Sequence, residues 1–292
     1  MSRTLDLEKE DNSQKDGTVF GDYRIGLFGY GVFSAAKNMA IDETLLNLSS
    51  TKKEFFIRFY DVDKPSVILA AYDHPDLARA GAAQNYAVSR RITGGRPIYI
   101  DNNTLEYMIS GPLDGSRSEF EAISDIHLKF SRFLKEAIAN MVGSEYSISI
   151  GKTSSIRING KPIAGHGIRI EKHAFLYHGI VVIDKWNLGL IEELMQISDG
   201  DRKEIETLPN LADLTELDNK ISANAELKKR LIGLIMSKLP KQNLYYMNSY
   251  ESGQTLESAS KLSSEKYENP DWVFRKDPLL RRDVKFCILY EG

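Results

Sequence analysis

Cysteine is almost absent. One residue, Cys287, occurs in 292, which excludes an intramolecular disulfide framework and any metal site built from several cysteines of one chain. The setting expected from this usage is the reducing cytoplasm. Long apolar runs are missing as well. A membrane-spanning helix needs roughly 18 consecutive apolar residues, and the clean runs here are of the length of Val67-Ile68-Leu69-Ala70-Ala71, so no membrane association is expected. Positive charge is not in excess, with 38 Lys and Arg against 41 Asp and Glu for a net charge of −3. No basic field is available to hold a phosphate backbone, and nucleic acid is not an expected partner. The acid-rich stretch over residues 1–20 has no apolar h-region and fits neither a secretory signal nor a transit peptide; a flexible tail is expected there. What remains is ordinary globular usage, 42% hydrophobic and 27% charged, in a chain long enough for one large domain or two modest ones.

Periodicity and turn chemistry then lay out the elements. Tyr23 to Phe28 reads as a first strand, and Ser34 as the N-cap of a helix carrying Met39, Ile41, Leu45 and Leu46. Two β-rich runs, Phe55–Tyr60 and Ser66–Ala71, flank the Asp63-Lys64-Pro65 break, and a short helix is expected from His74-Pro75-Asp76 to about Asn85. A strand from Val88 leads to Gly94-Gly95, and Pro97–Tyr99 with Leu105–Ile109 reads as a strand pair joined by Asp101-Asn102-Asn103. Between Phe120 and Met141 apolar residues recur at steps of three and four, predicting a long helix with one stripe on a core. Asn159-Gly160 after Ile156-Arg157-Ile158 predicts a type I′ hairpin returning at Lys161. A strand at Phe175–Ile183, a helix at Leu188–Met195, a loop at Ser198–Glu206, a helix at Ala223–Leu239 and another near Thr255–Tyr267 follow. Strands outnumber helices and succeed one another through turns. The expected class is therefore α+β, a mixed, largely antiparallel sheet flanked by helices.

Three places carry chemistry. Arg90-Arg91-Ile92-Thr93-Gly94-Gly95-Arg96 sets guanidinium groups beside paired glycines, which admit a ligand close to the backbone and make an anion-binding concavity. A turn between strands flanked by surface arginines has the same appearance. Lys161 starts a strand just after the hairpin turn, where an ammonium can be aimed at charge developing in acyl transfer, or can simply be solvated. His178 in Tyr177-His178-Gly179 suits either a substrate contact or a hydrogen-bonded structural role.

Together these segments resemble a known family. RRITGGRPIYIDNNTLEYMI is similar to the lipoate-protein ligase signature, close to RRxTGGGxVFHDxGNxxFxF. NMAIDETLL, RFYDVDKPSVILAAYDHP, NGKPIAGHGIRI, YHGIVVID and LPNLADL resemble the family's other motifs in the same order, over roughly residues 23–240. The resemblance is to the lipoate-protein ligase A family, the biotin/lipoate ligase catalytic domain. It implies the fold shared with class II aminoacyl-tRNA synthetases. It also implies activation of lipoate by Mg-ATP to lipoyl-adenylate, with transfer to a lysine of a lipoyl domain. Lys161 would be the catalytic cation. Arg91, Thr93, Gly94, Gly95, Arg96, Ile98, Tyr99, Gly165, His178 and Gly179 would line substrate and nucleotide, and no metal-ligating residue is assigned. The apolar slot would draw on the early helix and the strand at Val67–Ala70. The implied organisation is a tail at 1–20, a catalytic domain at 21–240 and a short extension at 241–292. Tyr267 and Trp272 resemble the close of catalytic subunits whose accessory domain is a separate small protein.

The sequence departs from the pattern at Arg96, Pro97 and Ile100, where the family has glycine, a small residue and histidine. Thr153-Ser154 replaces an Asn-Asp pair, and His166 lies in the lysine segment. IAGHGIRI also resembles octanoyl transferases, which hold the acyl group on a cysteine thiol. Three readings follow: ATP-dependent ligase, acyltransferase without ATP, or a noncatalytic lipoyl-domain binder on a ligase scaffold.

Overall fold

The computed structural model describes residues 19–79, 86–113, 118–151, 155–215 and 223–275. Thr153, Ser154 and Cys287 therefore lie outside the described residues, as do residues 80–85, into which the helix expected after Pro75 would run. Only a 3₁₀ turn, Pro75–Leu77, is present before them.

Twelve strands are described: β1 Ile25–Leu27, β2 Gly31–Phe33, β3 Phe55–Val62, β4 Ser66–Leu69, β5 Ala87–Arg90, β6 Ile98–Ile100, β7 Thr104–Pro112, β8 Ile148–Ile150, β9 Ile156–Ile158, β10 Lys161–Ile170, β11 Ala174–Val182 and β12 Leu244–Tyr246. The large sheet runs β12-β1-β3-β7-β11-β10-β9-β8, with β2 beside β3, and a small sheet runs β5-β4-β6. Parallel pairing is confined to β12-β1, β1-β3, β2-β3 and β4-β5. The other ladders are antiparallel, so the architecture is mixed and largely antiparallel, as expected. Asn159 and Gly160 take φ of 49° and 79° in the β9-β10 hairpin, the left-handed pair a type I′ turn demands.

The antiparallel alternation gives the sheet two different faces. Helix α1, Ala35–Lys52, is capped by the Ser34 side chain and lies with the small sheet on one of them. Helix α2, Glu119–Val142, covers the other, where Phe130 packs on Phe55, Phe175 and Tyr177. The expected stripe of α2 is buried from Ala122 to Val142, but Phe120 in the first turn is 66% exposed. The apolar spacing overran the sheet edge by one turn. Four further helices complete this part, α3 Leu188–Leu194, α4 Asp199–Glu206, α5 Leu211–Leu214 and α6 Ala223–Ser237.

Two expectations are corrected. Ser198–Glu206 is not a loop: Ser198 and Asp201 form a capping box and start α4, which buries little beyond Ile205. Pro97–Tyr99 and Leu105–Ile109 do not pair with each other. Asp101 accepts from Tyr99 Oη and from Asn103 N, and the turn it closes passes the chain from β6 in the small sheet to β7 in the large one.

The described C-terminal residues pack on α1 and on the arginine segment. Helix α7, Ser249–Leu262, lies along α1, with Lys37 Nζ donating to Leu256 O at 2.7 Å and Lys52 paired with Glu251 at 3.1 Å. Lys266 pairs with Glu43 at 2.7 Å. In α8, Pro270–Val273, the Trp272 indole donates to Arg90 O at 3.0 Å, and Arg90 Nε donates back to the carbonyls of Trp272 and Val273.

Candidate active site

Two cross-strand rows on the α1 face build the floor. Register places Arg58 beside Met108, Met108 beside His178 and His178 beside Gly167 in one row. The next row is Tyr60, Glu106, Ile180 and Gly165. Glycines at 165 and 167 leave the floor without side chains on β10. A Cβ on Gly167 would come within 2.8 Å of Thr93 Oγ1 and 3.1 Å of Gly94 O, so the arginine-glycine turn lies directly on this strand. A cleft of about 40 Å³ is left between floor and cover. Met39 from α1, Ile68 from β4, Ile98 and Ile100 from β6, and Arg91 close it from above.

A buried polar chain fixes this floor. Asp42 on α1 is 1% exposed and accepts from Arg58 Nη1 at 3.1 Å and Tyr60 Oη at 3.0 Å. Its Oδ2 also lies 2.8 Å from His178 Nδ1. With a carboxylate as acceptor, Nδ1 carries the hydrogen, and Nε2 accepts from Thr93 Oγ1 at 2.8 Å. Thr93 accepts in turn from Arg91 Nε at 2.9 Å. The other Arg91 donors reach Ile68 O, Gly94 O at 2.9 Å and Arg96 O at 2.7 Å. All four acceptors are neutral oxygens, so the guanidinium shapes the turn, and among the described residues no carboxylate is bonded to it at the cleft wall. That is the electrostatic requirement for holding a carboxylate or phosphate there. Burial lowers the Arg58 pKa and raises that of Tyr60 well above its ordinary value, with Asp42 favouring the charged guanidinium and the neutral phenol.

The sequence-assigned residues divide accordingly. Arg91, Ile98, Gly165, His178 and Gly179 line the cleft. Thr93, Gly94, Gly95 and Arg96 form the turn that Arg91 ties together, with Gly95 at φ 102°. A Cβ on Gly179 would meet Gly165 O at 2.1 Å and Tyr107 Oη at 2.6 Å, so this glycine serves close packing between strands. Tyr99 is not brought to the cleft; its hydroxyl donates to Asp101 and its ring stands edge-on to Trp186. Lys161 does not line the cleft either. Its side chain is exposed at the start of β10, four residues before Gly165 and across a register shift between Pro162 and Ala164. Asp42, Arg58, Tyr60 and Glu106 were not assigned from sequence. Asp42 sits inside the early helix motif, and a polar residue among Met39, Ala40, Ile41 and Leu45 was the available signal.

His166 points to the opposite face. Its Nδ1 lies 2.9 Å from Tyr177 Oη, and its ring is 5.0 Å from His127 on α2. Burial holds His166 well below the ordinary histidine range, helped by His127 and His178, and holds His127 at about 4. An unfolded chain takes up a proton on His127 near pH 6.5, whereas the folded one does not until about pH 4. Between those values the unfolded state binds more protons, and stability falls as pH falls. His127→Leu is expected to reduce the drop in urea midpoint between pH 7 and pH 5; an unchanged drop would show that His127 is not a source of it.

Among the described residues no group of three or more His, Cys, Asp or Glu is arranged to hold a metal ion. They do not fit a protein-caged metal. The same residues contain no helix long and apolar enough to cross a membrane.

The chain is 24% identical over 267 residues to an octanoyltransferase, LipM, of Carboxydothermus hydrogenoformans, covering 83% of this chain and 96% of that protein. It is 21% identical over 257 residues to lipoate–protein ligase 1 of Staphylococcus aureus, covering 85% and 73%. Among solved structures, a bipartite lipoate protein ligase from Thermoplasma acidophilum, studied with its E2 lipoyl domain, superposes with a TM-score of 0.67 at 17% identity. That match covers 90% of this chain and 98% of the other, so the two share a fold. The family model for the lipoyl protein ligase A/B catalytic domain matches residues 34–210, more than half of the chain. From Ser34 at the cap of α1 to Asn210 at the cap of α5, this protein belongs to the lipoyl protein ligase A/B catalytic-domain family.

Proposed function

We propose that the chain is the catalytic part of a lipoate-protein ligase. It would activate lipoate with Mg-ATP to lipoyl-adenylate and pass the acyl group to a lysine amine of a lipoyl domain. The observation that carries this reading is the apolar cleft walled by an Arg91 whose charge no described carboxylate cancels. Met39, Ile68, Ile98, Ile100 and Ile180 supply the slot for the acyl chain, and Arg91 with the glycine turn supplies the anion site at its wall. Magnesium would travel on the triphosphate, as is usual for this ion, and no step here is routed through it. Lys161 would meet the activated carboxyl where the ligand leaves the cleft along β10. A separate small accessory protein and a cytoplasmic setting belong to the same reading, as does the division into a tail at 1–20, a catalytic domain at 21–240 and an extension at 241–292.

Likeness to an octanoyltransferase favours a second reading, transfer from a carrier thioester without nucleotide. Residues 34–210 contain no cysteine to hold a thioester intermediate, which weighs for the ligase. Incubation with lipoate, Mg-ATP and a lipoyl domain is expected to release pyrophosphate and add one acyl group. No product there, alongside acylation from octanoyl-carrier in nucleotide-free buffer, would replace the ligase by the transferase.

A further inference from the structure

Glu106 is a carboxyl group where an acyl slot would be expected to hold only carbon. It is 3% exposed, lies centrally in the large sheet between Tyr60 and Ile180, and lines the cleft. Its Oε2 is buried without a hydrogen-bond partner among the described residues. The other oxygen explains why. Thr104 Oγ1 lies 2.6 Å from Glu106 Oε1 and 2.6 Å from Asp101 O, yet a hydroxyl has one hydrogen. If that hydrogen serves the Asp101 carbonyl, which can only accept, the hydrogen in the other contact belongs to Glu106. Burial favours the same neutral carboxyl, raising its pKa well above the ordinary value. With that assignment Oε1–H donates to Thr104; in the other, Thr104 donates to Oε1, and in either case Oε2 is an acceptor with no donor among the described residues.

The position of Glu106 in the sheet says which part of a ligand reaches it. Gly165 on β10 and Glu106 on β7 are separated by β11 in one row, two inter-strand spacings or about 10 Å. A ligand whose carboxyl end lies by Arg91 and the β10 glycines would run across Ile180 and bring its far end to Glu106. This rests on the cleft being the acyl slot, as proposed above. A hydrocarbon end would cover Oε2 and leave it unsatisfied, whereas a hydroxyl or thiol would donate to it.

We propose that Glu106 is the specificity-determining residue of this slot and selects a carboxylic acid of octanoyl length with a hydrogen-bond donor, hydroxyl or thiol, at its far end. Calorimetric titration of the whole chain with octanoate, 8-methoxyoctanoate, 8-hydroxyoctanoate, lipoate and dihydrolipoate tests it. Expected is at least tenfold tighter binding of 8-hydroxyoctanoate than of octanoate or the methoxy compound, a preference levelled in Glu106→Leu and retained in Glu106→Gln, whose amide keeps an acceptor oxygen. Dihydrolipoate tighter than lipoate extends the donor class to thiols; the two binding alike confines it to hydroxyls, and both support the proposal. Equal binding of octanoate and 8-hydroxyoctanoate by the parent chain overturns it while leaving the acyl slot in place. Binding of none of the acids overturns the slot and the inference together.

Discussion

Lys161→Ala is expected to lower lipoyl transfer by about 10²–10³, the range found when one fixed donor to a developing anion is removed, with no change in folding. Because the side chain is exposed at the head of β10, its removal opens no cavity, and an exposed substitution of this kind shifts stability by no more than about 0.5 kcal/mol. The reason for the large kinetic effect is geometric. In the proposed reading the acyl chain lies between Gly165 and Glu106, so an activated carboxyl attached to a nucleotide would leave the cleft on the β10 side. Lys161 lies on that strand about 13 Å from Gly165, four residues at the rise of a strand, and its flexible stem shortens the gap. The extra residue between Pro162 and Ala164 re-aims the strand start, as bulges do beside active sites. Single-turnover transfer from preformed lipoyl-adenylate, compared with pyrophosphate release, reports which half-reaction carries the loss. Parent-like rates in both would remove Lys161 from the mechanism.

How far the sequence carries such an argument depends on whether a feature is local. The cap at Ser34, the left-handed Asn159-Gly160 pair and the buried stripe of α2 are each decided by neighbours within a few residues, and each is in the structure as read apart from the exposed Phe120 in the first turn of α2. Helix α4 was local too, since Ser198 and Asp201 spell its capping box, but a helix with one apolar residue inward shows little periodicity. The β6–β7 segment defeats local reasoning in another way. Its turn residues are those of a hairpin, while the strands are claimed by β4 on one side and by β3 and β11 on the other. The site is the least local part. Asp42 and His178 are 136 residues apart and Thr93 and His178 are 85 apart, so nothing in the order of residues announces their contact. Glu106 is hidden by the opposite cause: in Leu105-Glu106-Tyr107-Met108 a charged residue suggests a solvent face, but both faces of this sheet are covered. Ile100 was noted as a departure from the signature, and it is a wall of the cleft.

The largest effect on stability is expected at Asp42. Its carboxylate is the acceptor for Arg58, Tyr60 and His178, all buried, and Arg58 has its Nε unpartnered among the described residues. Removing one member of a buried ion pair costs about 3–5 kcal/mol, because the remaining charge stays desolvated. Asp42→Ala should therefore lose about that much in urea unfolding. Asp42→Asn separates charge from shape. Its amide oxygen can accept from Tyr60 and His178 in the place of Oδ2, but its NH₂ then faces Arg58 Nη1, donor against donor. The opposite orientation satisfies Arg58 and sets the NH₂ against His178, which must then move its hydrogen to Nε2 and cease to accept from Thr93. The first orientation gives up the link to Arg58 and keeps the path through His178 and Thr93 to the arginine-glycine turn, whereas the second breaks that path at Thr93. The His178 tautomer separates the two: changed ¹⁵N signals of its ring are expected together with lipoate binding weakened by more than the loss of stability accounts for, and unchanged signals together with parent-like binding. A loss below 1 kcal/mol in Asp42→Ala would mean that the buried pair with Arg58 does not hold helix α1 on the sheet.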